Sequence, residues 1–487
     1  MKQRIEKATI ALNELRKTLD INFYPNYHLA PFAGWLNDPN GLIYHNGTYH
    51  AFYQHHPFSE NWGPMHWGHA TSSDMVHWQH QPIALAPGDD YDRDGCFSGS
   101  AVSHDGKLYL FYTGHIWLKK EHDDSAIYQA QCLAISEDGI HFEKKGVVIP
   151  SPEEYMHFRD PKVWFQDGRW WMIVGARDKN DLGQVLLFNT EDLLNWSSDY
   201  QVIAKTDDNN VYMWECPDFF PLGDKFITLF SPQGKKPENY QFRNMFQSGY
   251  IIGQWAPGQP YTIEQSFQEI DHGHDFYAPQ TFEAADGRRI AIAWMDMWES
   301  SMPSKADNWA GCFTVPRELT LTKENKVIMT PVVELNSLRQ EHQSVSSIEL
   351  SKNTAQLLKD NCESCEVELL WDLKDNTTEK FGFWLGQGLQ FYIDGQSHRL
   401  ILERHYPDNV ISDYRSAELP ATDKLKIRAY IDRSSIEIFI NDGELTFSSR
   451  IYPKKDQRAL KIFAINGPAK LESGNIWELA GSIKLPS

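Results

Sequence analysis

Residues 45–57 read HNGTYHAFYQHHP, a polar turn centred on Gly47 followed by an alternating run of aromatic and aliphatic side chains. Asn-Gly or Asp-Gly before such an alternation is typical of a β-hairpin. The pattern occurs four more times, in HDGKLYLFYTGH (104–115), QDGRWWMIVGARD (166–178), LGDKFITLFSPQG (222–234) and ADGRRIAIAWMD (285–296). The turn glycines recur at intervals of 59, 62, 55 and 64 residues. Strands repeating at so long a period, with no helical segments between them, predict propeller blades.

A second repeat runs in phase with the first. It consists of an Asp, two spacers, a polar residue and an aromatic residue, and it occurs in SDMVHW (73–78), EDGIHF (137–142) and EDLLNW (191–196). The copies are 64 and 54 residues apart, which matches the hairpin interval. We expect these turns to join strands within a blade. Two repeats in phase favour a propeller over five unrelated hairpins in a large sandwich.

The sequence pattern changes after Pro331. PVVELNSLRQEHQ is typical of a short connector, and short alternating runs such as CEVELLWDL and KLKIRAYIDRSSIEIFINDG then predict an antiparallel β-sandwich. We therefore expect an all-β fold, a five-bladed β-propeller followed by a C-terminal β-sandwich. The expected bounds are 1–20 for an N-terminal amphipathic helix, 21–335 for the propeller, 336–350 for a linker and 351–487 for the sandwich.

Composition limits the partners of the protein. The net charge is −20 and the isoelectric point is near 5.4, so nucleic acid and anionic membranes are not expected partners.

The first 20 residues carry charges throughout and lack the apolar core of a signal peptide, so we expect a cytoplasmic protein. Their apolar residues fall on one helical face, which predicts the amphipathic helix. Any homo-oligomer is expected to form through the sandwich domain. The 17 tryptophans suit a pocket for a small sugar, although propeller cores also use aromatic residues.

No metal ion or other cofactor is expected. The histidines between His45 and His80 match no known ligand spacing, and alternating strands would scatter them over both faces of a sheet. Cys362 and Cys365 form a single CxxC with no second pair. Hydrogen-bonding histidines and free buried thiols are the better interpretation.

Three acidic residues stand out by their local chemistry. Asp38 lies in WLNDPNG, Asp160 in FRDP and Glu215 in WECPD, each just before one of the hairpin repeats. A following proline favours an extended backbone at Asp38 and Asp160, which would pre-position both carboxylates. The apolar neighbours of Glu215 favour its neutral form, and Arg159 beside Asp160 favours the ionised form of that carboxylate. Each motif alone is more often a structural turn or ion pair, but equivalent positions in three blades favour a shared site.

These motifs resemble the three acidic motifs of glycoside hydrolase family 32, the invertase and fructanase family. The resemblance extends to FSGS (97–100), HDFYAPQ (274–280) and DRSSIE (432–437), and so covers nearly the whole chain. It implies a five-bladed propeller with a sandwich and a catalytic set of Asp38 as nucleophile, Asp160 as transition-state stabiliser and Glu215 as acid/base. It also implies a sugar subsite lined by Trp35, Asn37, Gln54, Trp62, Phe97, Ser98 and Arg159, with Asp275, Trp294 and Asp296 as further lining residues.

The implied reaction is hydrolysis of terminal β-D-fructofuranosides, chiefly sucrose, with retention of configuration. Sucrose 6-phosphate, longer fructans and fructosyl transfer are alternatives within the family. Lys305 and Arg243 are possible phosphate contacts, whereas the acidic and aromatic segment 294–300 favours free sucrose. An arabinan-type hydrolase is disfavoured by the intact NDPNG and by the DRSSIE motif. A carbohydrate-binding module without catalysis would be expected to lack part of the acid set.

Overall fold

Each of the five Gly-centred turns joins the first two strands of a β-sheet in the computed structural model, which describes residues 1–483. At the first turn Asn46 and Gly47 both have positive φ, 47° and 82°. A two-residue hairpin of this kind needs positive φ at both central positions, and Asn and Gly are the residues that adopt it most readily. The sequence therefore fixes the hairpins locally, before any long-range packing is considered.

The propeller consists of five sheets in chain order, after an N-terminal helix α1 (Lys2–Lys17). The first two blades contain β1 (Gly34–His45), β2 (Thr48–His56), β3 (His66–Ser72) and β4 (Trp78–His80), then β5 (Gly95–His104), β6 (Lys107–Trp117), β7 (Ile127–Ser136) and β8 (Glu143–Ile149). The next two contain β9 (His157–Gln166), β10 (Arg169–Arg177), β11 (Gly183–Thr190) and β12 (Gln201–Lys205), then β13 (Met213–Leu222), β14 (Lys225–Gln233), β15 (Gly249–Gln254) and β16 (Thr262–Glu269).

The fifth blade also closes the ring. It contains β17 (Tyr277–Glu283), β18 (Arg289–Trp294), β20 (Arg317–Leu321) and β21 (Val327–Pro331), while the short β19 (Trp309–Ala310) leaves it and pairs in parallel with β1. A 3₁₀ segment, Pro303–Asp307, precedes β19. The second sequence repeat joins the third and fourth strands in blades one to three, as expected.

The sandwich packs a seven-stranded sheet on a six-stranded sheet. Its strands are β22 (Arg339–Val345), β23 (Ile348–Leu350), β24 (Thr354–Lys359), β25 (Cys365–Asp372), β26 (Lys380–Leu385), β27 (Leu389–Asp394), β28 (Arg399–Tyr406), β29 (Ile411–Glu418), β30 (Lys424–Asp432), β31 (Ser435–Ile440), β32 (Leu445–Arg450), β33 (Leu460–Ile465) and β34 (Ala469–Leu479). One continuous apolar core fills the space between the sheets. The predicted all-β fold of propeller and sandwich is confirmed.

Two expectations about the sandwich need correction or restriction. The stretch 336–350 is not a linker, because β22 and β23 pair with β34 as part of the seven-stranded sheet. The connection is made instead by the 3₁₀ segment Val333–Leu338. At the other end, residues 484–487 of the expected sandwich lie outside the described residues.

The two domains meet in a seam of buried charged groups. Asp432 accepts hydrogen bonds from the backbone N–H groups of residues 26, 27 and 28, and it contacts His28 Nδ1 at 2.8 Å. Glu437 contacts His28 Nε2 at 2.7 Å and forms an ion pair with Arg317 of β20. These carboxylates open and close the DRSSIE motif, so that motif joins the sandwich to the propeller.

The N-terminal helix lies against the first blade. Ala8 and Leu12 are buried together with Ala33 and Ile83, and Arg4 forms an ion pair with Asp89 at 2.8 Å. None of the helices within residues 1–483 has both the length and the apolar character needed to cross a membrane.

Candidate active site

Every innermost strand of the propeller carries a β-bulge near the same end. At each bulge the pairing register between the innermost strand and the second strand of the blade shifts. In β9 the shift is at residues 160–161. In the other four blades it lies between Leu36 and Pro39 (β1), Phe97 and Gly99 (β5), Glu215 and Asp218 (β13), and Tyr277 and Gln280 (β17). Bulges interrupt the ladder and redirect side chains, and they are common beside active sites. They explain why the acidic motifs contain Asp-Pro and Cys-Pro, since proline donates no ladder hydrogen bond at a position where the ladder is already broken.

The backbone of Asp160 is not extended as its following proline suggested. Its φ is +69°, in the left-handed region, and Cys216 and Ala278 before the equivalent prolines have φ of +48° and +50°. Aspartate tolerates this region better than most residues. Two hydrogen bonds hold it there: its N–H donates to Thr113 Oγ1 at 2.9 Å, and its Oδ2 accepts from the Cys216 N–H at 2.8 Å.

The bulges surround the floor of one cavity with a volume of about 350 Å³. Asp38 of β1, Asp160 of β9 and Glu215 of β13 all line it, so three blades contribute one carboxyl group each. Arg159 and Arg177 are the arginines of the lining among the described residues. The cavity floor therefore has more acids than cations, which is unusual for a buried site without catalytic purpose.

Asp38 is held by donors on both oxygens. Ser98 Oγ donates to Oδ2 at 2.6 Å, and Asn37 Nδ2 donates to Oδ1 at 3.1 Å. Burial raises the pKa of Asp38 to about 6, the Ser98 bond opposes that rise, and the charge of Glu215 adds to it. The carboxylate is therefore mostly ionised at neutral pH and fixed in direction, as a nucleophile must be.

Asp160 lies deeper than Asp38. Burial, followed by the charges of Glu215 and Asp38, raises the pKa of Asp160, whereas the charge of Arg159 acts in the opposite direction. Because the carboxyls interact, protons leave the group in shared steps. One proton can thus remain on the cluster near neutral pH.

Arg159 pairs with Glu215 and not with its neighbour Asp160. Its Nε and Nη2 atoms lie 3.1 and 2.6 Å from Glu215 Oε1. The bulge at Asp160 separates the two adjacent side chains and leaves Arg159 facing the next blade. Glu215 Oε2 accepts two further hydrogen bonds, from Tyr277 Oη at 2.5 Å and from Gln233 Nε2 at 3.0 Å. Four donor atoms thus fix the direction of this carboxylate.

Most of the predicted sugar-binding residues line the cavity: Asn37, Gln54, Trp62, Phe97, Ser98 and Arg159. Trp35 and Trp294 do not. Trp35 lies behind the wall and its indole N–H donates to Asn37 Oδ1 at 2.7 Å, whereas Trp294 is fully buried between Trp35 and Tyr277.

Asp275 and Asp296 belong to the domain seam and not to the cavity. Asp275 is fully buried and pairs with Arg404 at 2.6 Å, and Asp296 pairs with Arg450 at 3.1 Å. Both arginines come from the sandwich. The expectation that these acids line the sugar subsite is therefore replaced by a structural role between domains.

Sequence reasoning missed the outer wall of the cavity. Its residues include His115, Trp117, His122, Asp124, Gln129, His157, Arg177, Tyr212, Gln233, Phe246 and Trp298. Aromatic rings form one side, with Trp62 and Trp117 packed 5.4 and 5.6 Å from His122. These residues belong to no shared sequence motif. What many of them have in common is that they lie next to the end of a blade strand near which the bulges occur.

Comparison with known families decides the identity. Residues 28–331 match the N-terminal domain of glycosyl hydrolases family 32, and residues 334–478 match the C-terminal domain of that family. The chain belongs to glycosyl hydrolase family 32. The family predicted from the acidic motifs is thus confirmed.

Family 32 relatives match the chain over nearly its whole length. A protein named sucrose-6-phosphate hydrolase from Escherichia coli is 55% identical, with 98% of this chain and 99% of that protein covered. A raffinose invertase from Escherichia coli is 53% identical over 98% of this chain and 100% of that one. Among solved structures, a Bombyx mori GH32 beta-fructofuranosidase superimposes with a TM-score of 0.85 at 32% identity, covering 99% of both chains. A mutant of the Bombyx mori enzyme was solved in complex with sucrose.

Proposed function

We propose that this enzyme hydrolyses terminal β-D-fructofuranosides, chiefly sucrose, by a retaining double displacement. The observation that carries the proposal is the convergence of Asp38, Asp160 and Glu215 from three blades on one cavity of about 350 Å³. Retaining glycosidases need one carboxylate to attack and a second carboxyl to protonate the leaving group. The sucrose complex of the Bombyx mori relative supports the choice of substrate.

Asp38 carries out the first displacement. Its carboxylate attacks the anomeric carbon of the fructosyl unit, the glycosidic C–O bond breaks, and the proton of Glu215 passes to the departing oxygen of glucose. Ser98 and Asn37 keep Asp38 in one orientation during the attack. The products of this step are glucose and a fructosyl ester of Asp38.

Glu215 then acts as a base. It removes a proton from water, whose oxygen attacks the same carbon and displaces Asp38, so the second inversion restores the original configuration. Asp160 has one oxygen, Oδ2, bonded to the Cys216 N–H, which leaves Oδ1 to accept hydrogen bonds from fructose hydroxyls. Those bonds favour the electron-poor sugar ring of the transition state.

The test is a comparison of kcat/KM for sucrose, sucrose 6-phosphate and a short inulin with purified enzyme. We expect sucrose to be turned over most efficiently and the released fructose to keep the β configuration when followed by NMR. Product analysis at high sucrose concentration separates hydrolysis from transfer to a second sugar. Absence of turnover with all three fructosides would overturn the proposal.

Sucrose 6-phosphate is the second possible substrate. The first Escherichia coli relative bears that name, and Arg177 lines the cavity with an ion-pair partner, Asp181, that is largely exposed. A phosphate could replace such a weak partner. Lys305 and Arg243 do not line the cavity, since Lys305 lies over Trp35 and Arg243 over Tyr414. If the phosphate ester is the substrate, Arg177→Gln should lower its kcat/KM at least tenfold while that for sucrose changes little.

Two further expectations concern the setting of the enzyme. A cytoplasmic location and self-association through the sandwich stay predictions. Cell fractionation tests the first, and light scattering of the purified protein at several concentrations tests the second.

A further inference from the structure

The segment from Asp271 to Asp275 belongs to the propeller in sequence but is bound to the sandwich. His272 N–H donates to Thr446 O at 2.8 Å, and Asp275 N–H donates to Ser448 O at 3.1 Å. Thr446 and Ser448 lie on β32, so main-chain hydrogen bonds cross directly from one domain to the other. Gly273 permits this approach, because a Cβ atom there would lie about 2.0 Å from Ser448 O.

Buried ion pairs fix both ends of this segment. Asp271 accepts from Arg317 and from Ser448 Oγ, at 3.0 and 2.8 Å. Asp275 Oδ2 accepts from Arg404 Nη1 at 2.6 Å and from the Arg450 N–H at 2.8 Å. Arg404 and Arg450 come from sandwich strands β28 and β32, so the sandwich determines where residue 275 lies.

Tyr277 follows Asp275 by two residues and is the first residue of β17. It is fully buried, with its ring packed near Trp294 and Phe246. Its hydroxyl donates to Glu215 Oε2 at 2.5 Å, and Gln233 Nε2 is the second donor to that oxygen. Burial and the charge of Glu215 raise the pKa of Tyr277, which keeps the hydroxyl protonated and therefore a donor.

We propose that the sandwich domain positions the acid/base residue through Tyr277, with the segment Asp271–Asp275 as the physical link. Tyr277 is a positioning residue: it fixes the Glu215 carboxyl by one short hydrogen bond, and Arg404 with Asp275 fixes Tyr277. The sandwich thus contributes to catalysis although none of its described residues lines the cavity. The proposal rests on the proposed function, since it takes Glu215 as the acid/base.

The leaving group distinguishes a positioning role from a merely structural one. Sucrose needs a proton on its departing oxygen, whereas an aryl β-D-fructofuranoside with a nitrophenolate leaving group departs without one. Misplacing the acid therefore slows formation of the fructosyl ester from sucrose far more than from the aryl substrate. General loss of structure slows both to the same extent.

The first experiment compares Tyr277→Phe with wild type in single turnover on both substrates. We expect the sucrose rate to fall about tenfold to a hundredfold and the aryl rate by less than about threefold. Tyr261→Phe is the matched control, because Tyr261 is also buried and its hydroxyl donates to a backbone carbonyl, Phe226 O, at 3.1 Å. Equal losses on both substrates, or no loss on sucrose, would overturn the proposal.

The second experiment tests the link to the sandwich. Asp275→Ala removes the bond from Arg404 to this segment and leaves Arg404 with its other carboxylate partner, Asp413, whereas Asp275→Asn keeps an oxygen that can still accept. We expect the alanine variant to reproduce the leaving-group dependence of Tyr277→Phe and the asparagine variant to restore most of the sucrose rate. Arg339→Gln is the control, since it removes an ion pair to the buried Glu366 within the sandwich. Loss of thermal stability in Asp275→Ala without leaving-group dependence would refute the link.

Glu215→Gln, measured with the same two substrates, separates failure of this inference from failure of the proposed function. If Glu215 is the acid/base, this variant loses sucrose turnover and retains fructosyl-ester formation from the aryl substrate. A leaving-group effect in Glu215→Gln but not in Tyr277→Phe refutes the positioning role alone. No leaving-group effect in either variant refutes both.

Discussion

The cavity floor and the domain seam are both buried and rich in charge, but their balance of charges differs. The floor brings Asp38, Asp160 and Glu215 together with Arg159 as their near cation. In the seam, by contrast, each of the buried acids contacts a cation: Asp271 and Glu437 contact Arg317, Asp275 contacts Arg404, Asp296 contacts Arg450, and Asp432 contacts His28.

The direction of the pKa shifts follows from this balance. At the floor, burial raises the pKa of Asp38 and of Asp160, and the charge of Arg159 does not offset the effect of burial on Asp160. In the seam the pKa values of Asp271, Asp432 and Glu437 are lowered despite burial, since Arg317 and His28 stabilise the charged forms. Asp296 is an exception, because the charge of nearby Asp275 adds to burial. An excess of buried acid facing a cavity indicates chemistry, whereas buried acids that each contact a cation indicate structure.

The largest expected effect is at the floor. Asp38→Asn keeps the shape of the side chain but removes the charge that attacks carbon, so kcat for sucrose should fall by at least ~10⁴-fold. The thermal midpoint should change little, because no cation loses its partner. A variant with near-normal kcat would show that Asp38 is not the nucleophile.

Substitution of Arg317 in the seam should lower the stability of the fold. Arg317→Leu leaves Asp271 buried without a cation and Glu437 with His28 alone, and it should lower the free energy of unfolding by about 3–5 kcal/mol. Urea unfolding at neutral pH measures this change. Lys426→Gln, which removes an exposed pair to Asp442, is the control and should cost less than about 1 kcal/mol. Equal costs for the two substitutions would show that the buried seam ion pairs stabilise the fold no more than an exposed pair does.

The seam should also make the free energy of unfolding depend on pH above neutrality. Hydrogen bonds and charges from Asp432 and Glu437 outweigh the desolvation of His28 and raise its pKa to about 9. Because the folded state holds this proton more tightly than the unfolded state, protonated His28 stabilises the fold by about 3 kcal/mol. This stabilisation is fully present below pH 6.5 and is lost as the pH rises through 9. His28→Gln should remove this dependence in unfolding experiments between pH 6 and 10. An unchanged slope in that variant would exclude His28 as its source.

The floor should make activity depend on pH at the acidic side. With the pKa of Asp38 near 6, kcat/KM for sucrose should fall about tenfold for each pH unit below that value as the nucleophile is protonated. Ser98→Ala removes a hydrogen bond that lowers this pKa, so the fall should begin at higher pH. A profile that stays flat down to pH 4 would contradict the assigned nucleophile.

The fold was predictable because its signals are local. Asn46 and Gly47 determine a hairpin within a few residues, and the repeat of that signal gave the number of blades. The edge strand β22 was missed because its residues, RQEHQSV, are polar and largely exposed, so no apolar alternation marks it. Its place in the sandwich depends on pairing with β34, more than a hundred residues away.

Within the site, sequence identified the acids but not their partners. Arg159 contacts Glu215 across 56 positions, and only the bulge at Asp160 determines that it does so. Asp275 lies within the HDFYAPQ motif, yet its side chain is buried against Arg404 and does not line the cavity. A sequence motif shows which residues are neighbours along the chain, but it does not show which of their side chains faces the cavity.

The most direct test of the account is to locate the covalent intermediate. In Glu215→Ala an aryl β-D-fructofuranoside can still form the fructosyl ester, but no base remains at that position to activate water, so the intermediate should accumulate. Mass spectrometry of the intact protein and of its peptides should then find one fructosyl unit, on Asp38. An adduct on Asp160 or on any other residue would contradict the assignment of the nucleophile on which the account depends.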